Sequence, residues 1–357
     1  MIKLEGDYLE GGGQIVRTAL ALSTITQKPF EIDNIRKGRP RPGLKNQHLF
    51  CIKALEELCD AETEGAELGS TYFKYCPGKI MARTLSVDIG TAGSITLLLQ
   101  SLLIPSIFGG SKVRLKITGG TDTQWSPQFD YFNNIIIPQL RRYADIETSL
   151  IKRGYYPKGG GKADIKIKPR FSLENIKEAP KINMAEQYSL IQVKGVSHAS
   201  SDLQKASVAE RQARAARLTL SRLNCPIQIR TEYCETLSTG SGITLWAIFS
   251  KDPEDIDIIN PIRVGADSLG ERGKRAEDVG REAAERLLKE IESKAPVDRH
   301  LADNLIPFLA LCGDKIKVSE ITNHTLTNIY TCEQFLGKVF GVDKGNRIIK
   351  FQVNFLS

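Results

Sequence analysis

Three short stretches of this 357-residue chain carry residue types that handle phosphates. The first is Glu10-Gly11-Gly12-Gly13-Gln14-Ile15-Val16-Arg17. Glycines opening a helix let backbone N–H groups and the positive end of its dipole approach an anion closely. Glu10 adds a carboxylate suited to Mg²⁺ or Mn²⁺, and Arg17 follows within the same element. The spacing is not a dinucleotide fingerprint, because the third glycine of G-x-G-x-x-G would fall at Val16. Nor is Gly159-Gly160-Gly161-Lys162 a Walker loop, with Ala163 where Ser or Thr is needed. The second stretch, Asn34 to His48, holds Arg36, Lys37, Arg39, Arg41 and Lys45 without one acid. These charges repel one another unless an anion sits among them. Pro40 and Pro42 restrict the loop and lower the entropic cost of presenting guanidinium groups to phosphate. Gln47 and His48 follow at an expected helix start, placed to touch phosphate or a substrate hydroxyl. The third is His324, flanked by Thr322 and Asn323, which can fix its tautomer. A neutral imidazole beside bound phosphates is suited to attack on phosphorus, with arginines and a divalent ion offsetting charge. A strand-to-helix turn, an unliganded basic loop and a structural histidine are the bland readings of the same three stretches.

The elements that must position these residues repeat at an offset of about 80 residues. Gly12-Gly13-Gln14-Ile15 opens an apolar helix, and Ala92-Gly93-Ser94-Ile95 opens another. Each is followed by an alternating strand, Phe30 to Ile35 in one copy and Val113 to Ile117 in the other. A Gly/Pro-rich loop then leads to a second helix, Leu49 to Leu58 or Phe129 to Leu140. A diverged third copy predicts a helix over 301–311, a strand over 315–321, the loop Thr322-Asn323-His324 and a helix over 327–335. If the copies share a cleft, His324 faces the basic loop and the glycine turn.

The segment between the second and third copies predicts strands over 188–195, 227–233 and 242–249 and a helix over 203–223. Its Arg211, Arg214 and Arg222 lie off the apolar stripe, on a face that is either solvated or set against a polyanion. The expected organisation is an α/β fold: a large domain of three repeated units (1–182 and 287–357) with a smaller α/β domain, 183–286, inserted. Composition agrees with a folded, water-soluble chain, with 41% hydrophobic and 25% charged residues. The 49 Lys+Arg against 42 Asp+Glu leave +7, a weak preference for phosphorylated partners. Seven cysteines without a C-x-x-C pair exclude a zinc or thioredoxin pattern and predict reduced thiols in a cytoplasmic protein. The apolar run Ile95 to Phe108 is broken by Gln100, Ser101 and Pro105 and is too short to span a bilayer. Residues 1–10 lack the apolar core of a secretory signal.

Taken together, these motifs resemble the RNA 3′-terminal phosphate cyclase family nearly end to end. The resemblance is carried by Glu10-Gly-Gly-Gly-Gln14-Ile-Val-Arg17, Ile35-Arg36-Lys-Gly-Arg39-Pro-Arg-Pro-Gly43 with Gln47-His48, and Gly65 to Ser70. Gly90-Thr-Ala-Gly-Ser94 with Gln100, Gly119 to Asp122, Gly154 to Gly161 and His324-Thr-Leu-Thr-Asn328 continue it in order. The resemblance implies an RNA-processing ligase. It adenylylates the histidine matching His324 with ATP, passes AMP to an RNA 3′-phosphate, and closes a 2′,3′-cyclic phosphate. It implies that Gln100 and the run His300, Leu301, Ala302, Asp303 and Asn304 bind ATP, and that Glu10 contacts a divalent metal ion, Mg²⁺ or Mn²⁺. Gln14, Arg17, Arg36, Arg39, Gln47 and His48 match the lining of the phosphate and RNA-end site. Two positions depart from the family: His300 stands where tyrosine is usual and Asn304 where glutamine is commoner. The expected partners are ATP and RNA 3′-phosphate ends, not a membrane, with a homodimer as candidate assembly. Two other classes compete. Non-catalytic family members act in ribosome assembly and lack the histidine, and enolpyruvyl-transfer enzymes share a similar repeat without needing one.

Overall fold

The computed structural model describes residues 1–9, 11–252, 254, 257 and 261–352. Glu10, the expected metal contact, lies outside the described residues. The first unit runs β1 (Ile2–Glu5), α1 (Gly13–Thr26), β2 (Phe30–Asp33), α2 (Asn46–Cys59), β3 (Glu62–Glu64) and β4 (Phe73–Cys76). Its sheet has the order β1-β2-β4-β3, with β1 and β2 parallel and the other pairs antiparallel. The second unit begins with β5 (Arg83–Asp88), α3 (Ile95–Phe108) and β6 (Val113–Gly119). A helical run follows whose ends are α4 (Phe129–Tyr131) and α5 (Ile137–Leu140) and whose middle, Phe132–Ile136, widens to a π-turn. With β7 (Ala144–Lys152) and β8 (Gly161–Pro169) it closes the order β5-β6-β8-β7, with the same pattern of directions. The 80-residue repeat is therefore a repeat of topology.

The third copy is split. Its first strand, β9 (Ile182–Met184), is followed by β10 (Ser189–Ser200), α6 (Val208–Leu220), β11 (Ile227–Cys234), β12 (Ser241–Ser250), β13 (Ile262–Leu269) and α7 (Ala276–Glu292). Those four later strands form a separate sheet, β11-β10-β12-β13, covered by the packed pair α6 and α7. The repeat resumes with α8 (Arg299–Cys312), β14 (Gly313–Lys317), α9 (Asn323–Leu336), β15 (Phe340–Asp343) and β16 (Ile348–Phe351). Because β9 pairs in parallel with β14, the order β9-β14-β16-β15 repeats the other two units. Thus β9 and α7 straddle the two ends of the segment 183–286. The fold is α/β, built of repeated units, as expected.

Local sequence explains the elements. In β6, Val113, Leu115 and Ile117 are buried in alternation, the signature of a strand covered on one face. In α3, Ser94 caps the first turn by accepting from the Leu97 N–H, and almost every side chain after it is buried. Helix α1 packs on α3 and α9, and α9 on α8, so the three units share one apolar interior. The helix expected over 203–223 is broken: Ser201–Ala206 is a 3-10 turn, Ser207 is left-handed, and only 208–220 is α-helical. Two of the three arginines of this face are paired with α7. Arg211 donates to Glu277 at 2.8 Å and Arg222 to Glu292 at 2.6 Å. Their pairing favours the solvated-face reading over a polyanion surface. All seven cysteines are free thiols, and among the described residues no helix is long and apolar enough to cross a membrane.

Candidate active site

The glycine turn, the basic loop and the start of α9 meet at one cleft. Gly12 precedes α1 in extended conformation, and Gly13 is the first helical residue. A Cβ on Gly13 would lie 2.0 Å from His48 Nε2 and 3.0 Å from an Arg17 guanidinium nitrogen, so only glycine fits under that ring. His48 is buried, and its Nδ1 accepts the Lys45 N–H at 3.0 Å, which leaves the proton on Nε2. Burial, reinforced by Arg17, Arg36 and Lys45, pulls its pKa down to about 3. The ring is neutral and acts as a wall behind the glycine turn.

The basic loop is wound tightly. Asn34 and Arg36 are left-handed, the Arg39 N–H bonds the Arg36 carbonyl at 3.0 Å, and the Gly43 N–H bonds Ile35 at 2.8 Å. Arg36 is half-buried, and its Nε has no hydrogen-bond acceptor. Burial, then the nearby Arg39, lowers its pKa. The Arg39 guanidinium lies 3.6 Å from the Cβ position of Gly12. A cleft of about 440 Å³ opens here, lined by Asp7, Gly11, Lys37, Arg39 and Asn323.

His324 differs from its expected setting in one respect: it is the second residue of α9, not part of a loop. Thr322 is the cap, accepting the Thr325 N–H at 3.0 Å, and this draws Asn323 and His324 into the first helical turn. Asp303 of α8 accepts from both Thr322 and Thr325 hydroxyls, at 3.1 and 2.7 Å, and fixes that turn. Asn328 ties the same corner to α1, bonded to the Thr18 hydroxyl at 2.7 Å and to the Asp303 carbonyl at 2.6 Å. His324 is exposed, one residue from the Asn323 that lines the cleft.

Behind the cleft runs a chain of polar side chains from the first helix of each unit. Arg17 Nε donates to Gln100 at 2.9 Å, Gln100 Nε2 to Asn304 at 3.0 Å, and Asn304 Nδ2 to the His300 carbonyl at 2.8 Å. Arg17 is buried, its pKa is lowered chiefly by that burial, and no carboxylate pairs with it among the described residues. Gln47 links α2 to α3 through the Ser94 carbonyl at 3.1 Å, and Gln14 is half-buried on the first turn of α1. The run 300–304 divides. Leu301 and Ala302 are fully buried in the core, whereas Asp303 and Asn304 face the polar chain. His300 points elsewhere, edge-on to Tyr131 at 6.3 Å and exposed to solvent.

One charged cluster escaped the sequence reading. Arg153 is buried between Asp122 at 3.0 Å, Asp130 at 2.5 Å and Glu232 at 2.8 Å, knotting the second unit to β11. Beside it His198 of β10 bonds Tyr155 at 2.8 Å and Gln128 at 3.1 Å, and burial pulls its pKa down to about 3. Ligand atoms of Asp122, Asp130 and His198 lie within 4.8 Å of one another, but the Arg153 cation already binds both carboxylates. Asp7 was missed as well: nothing in its spacing marks it as part of the cleft.

Comparison with known proteins gives the family. A profile described as RNA 3′-terminal phosphate cyclase matches residues 8–342. Proteins of that name from Pyrococcus furiosus and Archaeoglobus fulgidus are 47% and 44% identical to this chain over 97% and 98% of it, covering 96% and 99% of their own lengths. One from Saccharolobus islandicus is 43% identical, over 99% of both chains. The chain therefore belongs to the RNA 3′-terminal phosphate cyclase family and is an enzyme of that family.

Proposed function

We propose that this enzyme converts an RNA 3′-terminal phosphate to a 2′,3′-cyclic phosphodiester, using ATP and releasing AMP and pyrophosphate. In the first step an imidazole nitrogen of His324 donates its lone pair to the α-phosphorus of ATP. A P–N bond forms while the bond to the bridging oxygen breaks, freeing pyrophosphate. A terminal oxygen of the RNA 3′-phosphate then attacks the same phosphorus and restores the imidazole, giving an RNA–AMP anhydride. Last, the neighbouring 2′-hydroxyl attacks the RNA phosphorus, loses its proton and expels AMP.

One observation supports this reading: Asn323, the first residue of α9 and the neighbour of the exposed His324, lines the same cleft as Lys37 and Arg39. Cations there offset phosphate charge most strongly when more of it develops in the transition state. The unsatisfied Nε–H of Arg36 and the first-turn N–H groups of α9 are donors that phosphate oxygens would complete. His48 and Gln47 hold the glycine turn and α3 in place, so their contribution is positioning. Arg17, Gln100, Asp303 and Asn304 form the wall on the ATP side, with His300 at its far end. A divalent ion fits this cleft. Asp7 supplies a carboxylate oxygen in a wall that also holds Lys37 and Arg39, and Mg²⁺ takes one or two carboxylates together with phosphate oxygens. When bound, such an ion would screen the phosphates from one another. The three repeats form the catalytic domain in this reading and the β10–α7 region the inserted one. The free thiols suit a reducing cytoplasm.

The test is product formation. With ATP and an RNA ending in a 3′-phosphate, the wild-type enzyme should yield an end resistant to phosphatase. His324→Ala should yield none while keeping its fold by circular dichroism. Undiminished cyclisation by that variant would remove His324 from the mechanism.

A further inference from the structure

The loop that carries Asp7 to the cleft is backed by two tyrosines. Tyr8 stacks on Tyr330 of α9, with ring centroids 3.9 Å apart and planes inclined by 15°. The Tyr330 hydroxyl also accepts the N–H of Glu5, the last residue of β1, at 3.3 Å. One side chain of α9 therefore meets both the strand that enters the loop and the loop itself. Within the loop the backbone bonds are local turns: the Tyr8 N–H to the Glu5 carbonyl at 3.4 Å and the Gly11 N–H to the Tyr8 carbonyl at 3.0 Å. Leu9 is 52% exposed, so burying its side chain is not what fastens the loop. Its backbone is left-handed, with φ of 48°, a conformation that a leucine keeps only where contacts elsewhere hold the chain.

The other half of the stack is fixed independently. Thr322, Asp303 and Asn328 tie the first turns of α9 to α8 and α1. Tyr330 lies about two turns along α9 from Asn323, so the two share one face of the helix. Asn323 from α9, and Asp7, Leu9 and Gly11 from the loop, line the same cleft. Neither tyrosine lines it. Their stack joins the two elements from outside, and any effect on a ligand passes through the spacing of the walls.

We propose that Tyr8 and Tyr330 are positioning residues, whose stack clasps the loop carrying Asp7 to α9 and so sets the distance from that carboxylate to the start of the helix. This deepens the proposed reaction and rests on its placement of the ATP phosphates in the cleft. The test is a double-mutant cycle on the full chain: Tyr8→Ala, Tyr330→Ala and the double variant. It is read as equilibrium binding of an ATP analogue with a non-cleavable α–β bridge, in the presence of Mg²⁺. From the strength of an aromatic pair, each single variant should bind the analogue about 2- to 12-fold more weakly. The double variant should be no worse than the weaker single one, and Tyr330→Phe, which keeps the ring, should stay near wild type. Melting temperatures should stay close to wild type, because both rings lie outside the buried core. If Tyr330→Ala melts well below wild type, Tyr8→Ala decides alone, since Tyr8 is the more exposed ring of the pair. Losses that multiply in the double variant overturn the clasp, as do affinities within about 1.5-fold of wild type in both single variants. A wild type that binds the analogue yet never labels His324 with AMP would sink the proposed reaction and leave the clasp to the binding cycle.

Discussion

Arg17 offers a sharp separation of stability from function. Its guanidinium is buried, faces no carboxylate among the described residues, and makes one resolved hydrogen bond, to Gln100. Burial already lowers its pKa, and the neighbouring Arg36 adds to that. Removing such a cation from water costs several kcal/mol, and one hydrogen bond to a neutral amide returns about 1–3 kcal/mol. Arg17→Met keeps the aliphatic volume and removes the charge. Replacing buried ions by apolar groups of similar size commonly stabilises by about 1–4 kcal/mol. Against this stands Gln100 Oε1, left without its donor at a cost of about 1 kcal/mol or more. The net expectation is a gain of about 0–3 kcal/mol. With an unfolding entropy near 2.1 cal/mol/K per residue, that is a Tm rise of about 0–4 °C. ATP binding should move the opposite way, because phosphate is the counter-charge the site lacks. Calorimetric unfolding with and without an ATP analogue measures both effects. A loss of more than about 1 kcal/mol together with unchanged ligand-induced stabilisation would refute the view that Arg17 is a strained phosphate receptor.

Three further outcomes follow from the same geometry. His48 and His198 are held neutral down to about pH 3, whereas the unfolded chain protonates them near 6.5. Their stabilisation is complete above pH 6.5 and is lost as pH falls, because the unfolded state then binds protons that the fold refuses. Between pH 7.5 and 5.0 the wild type should lose about 2 kcal/mol more than His48→Gln in denaturant titrations, and equal losses would contradict the assignment. Gly13→Ala would drive a Cβ into the His48 ring, so it should cost about 1–3 kcal/mol and weaken ATP binding. The double variant Gly13→Ala/His48→Ser should recover part of that stability, which thermal melts will read. Arg36→Ala and Arg39→Ala should each lower RNA-end activation at least tenfold while Tm changes by about 2 °C or less, since partly exposed loop cations add little stability.

Local signals were enough for the parts of the fold that repeat. The glycine turns, the capping Ser94 and the alternating strands are sequence-adjacent features, and they mark two units directly. The third unit was harder because β9 has three residues, too few to show a period, and its partner β14 lies beyond the whole β10–β13 sheet. The break at Ser207 is a backbone event just ahead of the buried stripe that starts at Ala209, so the periodicity that marks the helix does not reveal where it begins. At the site, the basic loop was legible because five cations without an acid are unusual in any fold. The chain Arg17–Gln100–Asn304 was not, since its links span 83 and 204 residues and arise from how the units stack. The burial of Leu301 and Ala302 within the ATP-matching run follows from helical spacing: two consecutive residues of α8 turn inward, while the next two, Asp303 and Asn304, face the polar chain.

The proposed chemistry stands or falls on a covalent bond. Incubating the enzyme with ATP labelled in the α-phosphate, without RNA, and mapping the labelled peptide tests it most directly. An acid-labile AMP adduct on His324, absent from His324→Ala, is the predicted result. A wild-type enzyme that cyclises RNA ends yet carries no label, or carries it on another residue, would contradict it.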